Sequence, residues 1–222
     1  DDCVLKYYKI CGLCFSWSGP DGLFDTYFKD FSCEAAVADQ HIFMMTGEPS
    51  HLAAGTLLIH TAELTIFDVT DTYRFVFGTR WGIHEMRVKK DGSAAVLYCV
   101  NGADKDHAED IFHALRFAFL IAAQKHELFI LHSVSILYQG KAWLFSGSSG
   151  TGKSTHAALW TDQYQTPVLN GDLNVLGIKN GQPYIYGLPW CGTSKIYTTA
   201  TCPLGGIVFL KQAPFNRVDS LA

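Results

Sequence analysis

The residues best suited to chemistry stand in one run, Gly147-Ser148-Ser149-Gly150-Thr151-Gly152-Lys153-Ser154, which matches G-x-x-x-x-G-K-S at every position. Glycines let successive backbone N–H groups turn inward around phosphate oxygens, and a helix beginning at the lysine adds its positive end. Lys153 can neutralise the outer phosphates, and Ser154 can ligate magnesium. The context also agrees: an apolar strand, Ala142 to Ser146, leads in, and Lys153 to Asp162 reads as a helix. The run therefore predicts a nucleotide site taking ATP and Mg2+.

Such a site needs a carboxylate at the end of a neighbouring strand to hold the metal, directly or through water. Asp172 meets that need. It follows the returning stretch Pro167-Val168-Leu169-Asn170-Gly171 and lies 19 residues after Lys153. An ordinary turn acid is the plainer reading, because Asp and Asn favour turns for local reasons. On the strand before the loop stands His132, with Val134 and Ile136 on its face and Ser133 and Ser135 on the other. A single strand histidine is more often structural than functional, so the residues alone leave its role open.

The elements that must position these groups can be read in the same way. Residues 1–103 read as short strands with turn punctuation, for example Tyr73 to Phe77 and the pair flanking Asp91-Gly92. From Asp104 a helix is predicted: Asp104 can cap it, acids at Asp106, Glu109 and Asp110 suit its positive end, and Ile111, Leu115, Phe119 and Leu120 recur at helical spacing. Strands follow at Leu128 to Tyr138 and Ala142 to Ser146 around the Gln139-Gly140 turn. Further strands are predicted at Thr166 to Asn170, Val175 to Lys179, Gln182 to Tyr186 and Gly205 to Lys211. The expected domains are thus 1–103, a β-rich region, and 104–222, a nucleotide-binding domain. Because no closing helix follows the last strand before Ala222, the C-terminal part is expected to be incomplete.

With 48% hydrophobic and 17% charged residues the 222-residue chain is globular in composition rather than disordered. A formal net charge of -4 provides no field attractive to nucleic acid or anionic membrane, so bound phosphate must be gripped locally. Ile111 to Ala123 is the longest apolar stretch, but His113 and Arg116 interrupt it, which suits a buried helix. No leader-type segment opens the chain, and a cytoplasmic location is expected. Seven cysteines, an odd number scattered among strands, suit reduced and packed thiols; Cys11 and Cys14 lack the second ligand pair that zinc needs.

Together, His132-Ser-Val-Ser-Ile, Gly147 to Thr155 and Leu169-Asn-Gly-Asp172 resemble the HPr kinase/phosphorylase family and its relatives on the phosphoenolpyruvate carboxykinase-like P-loop fold. The similarity is greatest to the HPr-kinase-related branch associated with peptide-modification clusters, and it covers about residues 110 to 222. It implies an α/β fold: a mixed-sheet P-loop core with a helix after the loop, preceded by a smaller β-rich region. It also implies an ATP- and magnesium-dependent kinase acting on a hydroxyl, serine above all, of a protein, peptide or small molecule, and by analogy a homo-oligomer.

In that reading His132, Lys153 and Asp172 are catalytic, Gly147 to Thr155 bind nucleotide, and Ser154 and Asp172 hold the metal. The segment Gly187-Leu-Pro-Trp-Cys-Gly-Thr-Ser-Lys195 resembles a proline-containing loop of these relatives, in which Lys195 would bind phosphate. This chain also departs from the family. Thr155 stands where an acid is usual, and a single Asp172 stands where a pair of aspartates is usual, so His132 or another group would have to supply the second function. Two rivals follow: a catalytically silent nucleotide-binding accessory protein, and a carboxykinase-like decarboxylase, for which no convincing set of arginines and lysines is present.

Overall fold

The computed structural model describes residues 3–23 and 25–221. It is an α/β protein with two mixed sheets, 20% helix and 43% strand, and it divides into two compact units at 1–129 and 130–222.

In the first unit, β1 (Cys3–Ile10), β2 (Leu13–Pro20), β3 (Gln40–Thr46), β4 (Thr56–His60), β5 (Leu64–Val69), β6 (Thr72–Phe77), β7 (Ile83–Lys89) and β8 (Ala94–Cys99) form one sheet. The spatial order is β1-β2-β3-β8-β7-β6-β5-β4. Most pairs are antiparallel hairpins, but β3 runs parallel to both β2 and β8. A parallel neighbour needs a long return connection, and the stretch between β2 and β3 supplies it.

The helix expected from Asp104 is interrupted. A single turn, α1 (Ala103–Asp106), starts after Gly102 in the left-handed conformation; the chain bends at His107, and α2 (Ala108–Lys125) then runs uninterrupted. The expected acids Glu109 and Asp110 do fall in the first turn of α2, where His107 Nδ1 meets Asp110 Oδ2 at 3.1 Å. Ile111, Leu115 and Phe119 are buried, and each large side chain contributes roughly 1.5–3 kcal/mol. Ala114, Ala118 and Ala122 share that face, and their small size lets the helix lie close to the sheet.

The closeness sets the domain boundary. Gln40, fully buried, donates from Nε2 to the carbonyls of Gly92 (2.8 Å) and Ala118 (3.1 Å), tying the sheet to α2. The Phe15 and Phe119 rings also meet, with centroids 5.8 Å apart. This helix therefore packs with the β-rich unit, which is the larger of the two, and the division falls at 129/130 where the sequence suggested 103/104. A Cβ on Gly92 would lie 2.8 Å from Ala122 Cα, and Gly92 has φ +79°. Gly92→Ala is accordingly expected to cost about 2 kcal/mol, through both strain and overpacking, read as a lowered midpoint in thermal or denaturant unfolding. An unchanged midpoint would contradict the close helix–sheet approach.

The second unit contains β9 (Phe129–Tyr138), β10 (Lys141–Ser146), α3 (Lys153–Tyr164), β11 (Val168–Asn170), β12 (Leu173–Lys179), β13 (Gln182–Tyr186) and β14 (Thr201–Phe209). The sheet order is β10-β14-β13-β12-β9-β11, and β9 also pairs with β10, so the run from β10 to β9 closes on itself and β11 is added beside β9. The hairpin turns expected at Gln139-Gly140 and Asn180-Gly181 form, with both residues of each at positive φ. Since β10 and β11 are each antiparallel to β9, they are parallel to one another, and α3 is the crossover between them.

Strand alternation divides the apolar residues between two cores. Val134, Ile136 and Phe145 pack with Ala157 of α3. Ala142, Leu144, Leu169 and Ile185 form the other.

Among the described residues no helix is long and apolar enough to cross a membrane. All seven cysteines are free thiols. Cys11, Cys14, Cys99 and Cys191 are buried as expected, and Cys3 is exposed. Burial pushes the Cys99 thiol up to about 12 and the Cys11 thiol further still.

Candidate functional site

The antiparallel register of β9 and β10 places Ser133 opposite Ser146. One residue further, His132 therefore stands across from Gly147, where the glycine-rich loop begins. The Ser146 hydroxyl donates to the His132 carbonyl at 3.0 Å and joins the two ends.

The loop itself turns on Gly147, Gly150 and Gly152, with φ of +150°, +78° and +97°. A Cβ on Gly150 or Gly152 would meet nothing within 4 Å. Their glycine identity answers to backbone conformation, since side chains rarely adopt these angles. At Gly147 a Cβ would instead come within 2.8 Å of the Leu210 carbonyl oxygen and 2.9 Å of Thr151 Oγ1. Thr151 Oγ1 donates to the Ser148 carbonyl at 2.9 Å, and from the far end of the chain Gln212 Nε2 donates to the Gly150 carbonyl at 3.1 Å.

Lys153 opens α3 and curls back over the loop, its Nζ donating to the carbonyls of Gly147 (3.0 Å) and Ser148 (3.1 Å). Ser148, Ser149, Gly150, Ser154 and Thr155 are exposed. No acid lies in the first turn of α3, so the positive helix end is not offset locally. The arrangement presents backbone N–H groups, one ammonium and hydroxyls to solvent, a donor set suited to an anion.

The second group expected from the sequence also assembles. His132 Nε2 and Asp172 Oδ1 are 3.0 Å apart, with side chains 57% and 31% exposed, so the pair is open to a reactant. Asp172 lies in the tight turn between β11 and β12, and its carbonyl accepts from Ser133 N at 3.0 Å. Residues 187–195 pack over this turn: a Cβ on Gly192 would come within 2.8 Å of the Asp172 side chain. Burial, followed by the charge of Asp172, pushes the Cys191 thiol upward. Lys195 is exposed just past the 3-10 turn Gly192–Ser194, and among the described residues it forms no hydrogen bond or ion pair with the glycine-rich loop.

No family model matches the chain, and no curated protein does. Among solved structures it is similar to the Hpr(Ser) kinase/phosphatase from Coxiella burnetii, at 13% identity and a TM-score of 0.32. That similarity covers 41% of this chain and 66% of that one, just under two thirds of its length. A likeness at this level carries no functional weight.

Beneath the His132–Asp172 pair lies a polar network that the sequence reading missed. Ser133 and Ser135, on the face of β9 turned away from α3, are fully buried, as are Asn170 and Asn174 within a few per cent. Ser135 Oγ donates to Asn174 Oδ1 (2.6 Å) and accepts from Asn170 N (3.1 Å). Asn174 Nδ2 donates to the Ser133 carbonyl (2.7 Å) and hydroxyl (2.9 Å). Buried polar groups in such number persist only when they are mutually satisfied. Two signals were present in the sequence: serines alternating with apolar residues along β9, and Asn-Gly-Asp as an Asx-turn sequence.

Proposed function

We propose that this chain is an ATP- and magnesium-dependent phosphotransferase acting on a hydroxyl, with serine on a protein, a peptide or the free amino acid as the acceptor. The single observation that carries this reading is the pairing of His132 with Asp172 beside a glycine-rich loop that opens a helix with Lys153. A loop alone accounts for nucleotide binding; an adjacent histidine–carboxylate pair accounts for transfer to a hydroxyl. The strand–loop–helix order and the crossover to a parallel strand support a P-loop core of the phosphoenolpyruvate carboxykinase-like kind.

The donor set fits a nucleotide and a magnesium ion. The open glycines and the unopposed start of α3 suit phosphate oxygens, and the oxygens of Ser154 and Asp172 suit magnesium. When bound, ATP supplies the phosphoryl group and magnesium offsets its charge.

The loop amides and Lys153 Nζ hold the phosphate oxygens in place. Asp172 Oδ1 accepts from His132 Nε2–H, which orients the ring and leaves the Nδ1 lone pair free. Nδ1 would take the hydroxyl proton as the acceptor oxygen bonds the γ-phosphorus and the bond to the leaving nucleoside diphosphate breaks. Positioning and charge neutralisation supply most of the acceleration.

The test is incubation with γ-labelled ATP against free serine, peptides and HPr-like proteins. Label on a serine hydroxyl is the expected result. Saturable ATP binding with no transfer to any acceptor would instead support the accessory-protein reading, which Asp172 standing alone where the resembled family has a pair of aspartates favours.

A further inference from the structure

The Asp172 carboxylate lies at the tip of a short turn, and a turn tip moves unless something below it is pinned. That pin is Asn170, a residue only 3% exposed. Its Oδ1 accepts from two successive backbone amides, Asp172 N at 2.9 Å and Leu173 N at 3.0 Å, closing the turn from inside. Its Nδ2 donates to the Trp190 carbonyl at 3.0 Å, in the segment that packs over the same turn. Its own backbone N–H is held by Ser135 Oγ on β9, three positions from His132. Every polar group of the Asn170 side chain is thus used to fix either the Asp172 backbone or the segment covering it. No shorter side chain can reach both.

We infer that Asn170 is a positioning residue that sets the Asp172 carboxylate against the His132 ring, acting through the turn without touching a reactant. This deepens the phosphotransferase reading and rests on it where rates are concerned. The contact it governs can be read without any activity.

The experiment follows the ring resonances of His132 in 15N-histidine-labelled full chain, assigned by their loss in His132→Asn. Asp172→Asn defines the signal of a ring without its carboxylate. Asn170→Ala is expected to move the His132 resonances toward that signal. Asn170→Ser, which keeps one acceptor oxygen of the kind that serves such turns but loses the donor to the Trp190 carbonyl, should bring them only part of the way back toward wild type. Transfer from ATP should fall roughly tenfold to a hundredfold in Asn170→Ala, in kcat, and recover in part in Asn170→Ser, as expected for a displaced catalytic group. Magnesium-free binding of a fluorescent ATP analogue, which does not draw on Asp172, should stay unchanged.

Asn170→Ala with wild-type His132 resonances would overturn the inference, and so would a loss confined to ATP affinity. If Asn170→Ala does not fold, Asn170→Ser carries the test: an intermediate His132 shift supports the inference and an unshifted ring refutes it. If the wild-type chain transfers no phosphate, the phosphotransferase reading fails while the resonance shift still decides the role of Asn170.

Discussion

Lys153→Ala is expected to lower phosphoryl transfer from ATP by roughly a thousandfold, the order found when one preorganised charge stabiliser is removed. Its ammonium reaches the carbonyls of Gly147 and Ser148 at the mouth of the loop, which places the charge where outer phosphates would sit. The fold should survive. The two hydrogen bonds lost are at least partly open to solvent, and together they should cost about 1–2 kcal/mol, less than the stability of an ordinary domain. Lys153→Arg should not restore the rate, because a planar fork cannot replace a compact point charge on a flexible stem. Steady-state transfer rates, with circular dichroism to confirm folding, decide the matter. Normal turnover in folded Lys153→Ala would remove the basis for the whole proposal.

The second large effect concerns the pair facing the loop. His132→Asn is expected to reduce transfer by roughly a hundredfold to ten-thousandfold, the range of a general base. Asp172→Asn should cost at least as much, since it takes away both the orienting partner of His132 and an oxygen for the metal. Because the two side chains are 3.0 Å apart and act as one unit, the double variant should be no worse than about threefold below the poorer single variant. A double variant whose losses multiply fully would show that the two residues act independently. ATP binding should persist in His132→Asn, which distinguishes lost chemistry from lost grip.

These expectations rest on parts of the molecule that were unequally legible. The glycine-rich loop was read from eight consecutive residues, and the strand before it and the helix after it from the stretches directly flanking it, because turn conformation and helix initiation are local properties. The hairpins at Gln139-Gly140 and Asn180-Gly181 were legible for the same reason. The break at His107 was not. Asp104 looked like a cap by its type, but Gly102 in the left-handed conformation starts the first turn instead, and the chain bends before α2. The assignment of α2 to the first unit was equally hidden, since it depends on Gly92, Gln40 and Ala122 meeting across a long stretch of chain.

At the site, sequence by itself determined the residue types and their spacing: a phosphate loop, a strand histidine, and an acid after a returning strand. It left His132 undecided between structure and function, and it favoured a metal role for Asp172 over that of an ordinary turn acid. The tertiary structure settled that they are neighbours. The register of β9 against β10 sets His132 opposite the start of the loop, and the β11–β12 turn carries Asp172 to the same edge. Register and strand order depend on pairings between residues 14 to 41 positions apart, and on the burial of Ser133, Ser135, Asn170 and Asn174 in one satisfied network. No local pattern encodes which buried donor will find which acceptor. That choice is made only when the strands close around them, since leaving these four buried side chains unpaired would be costly.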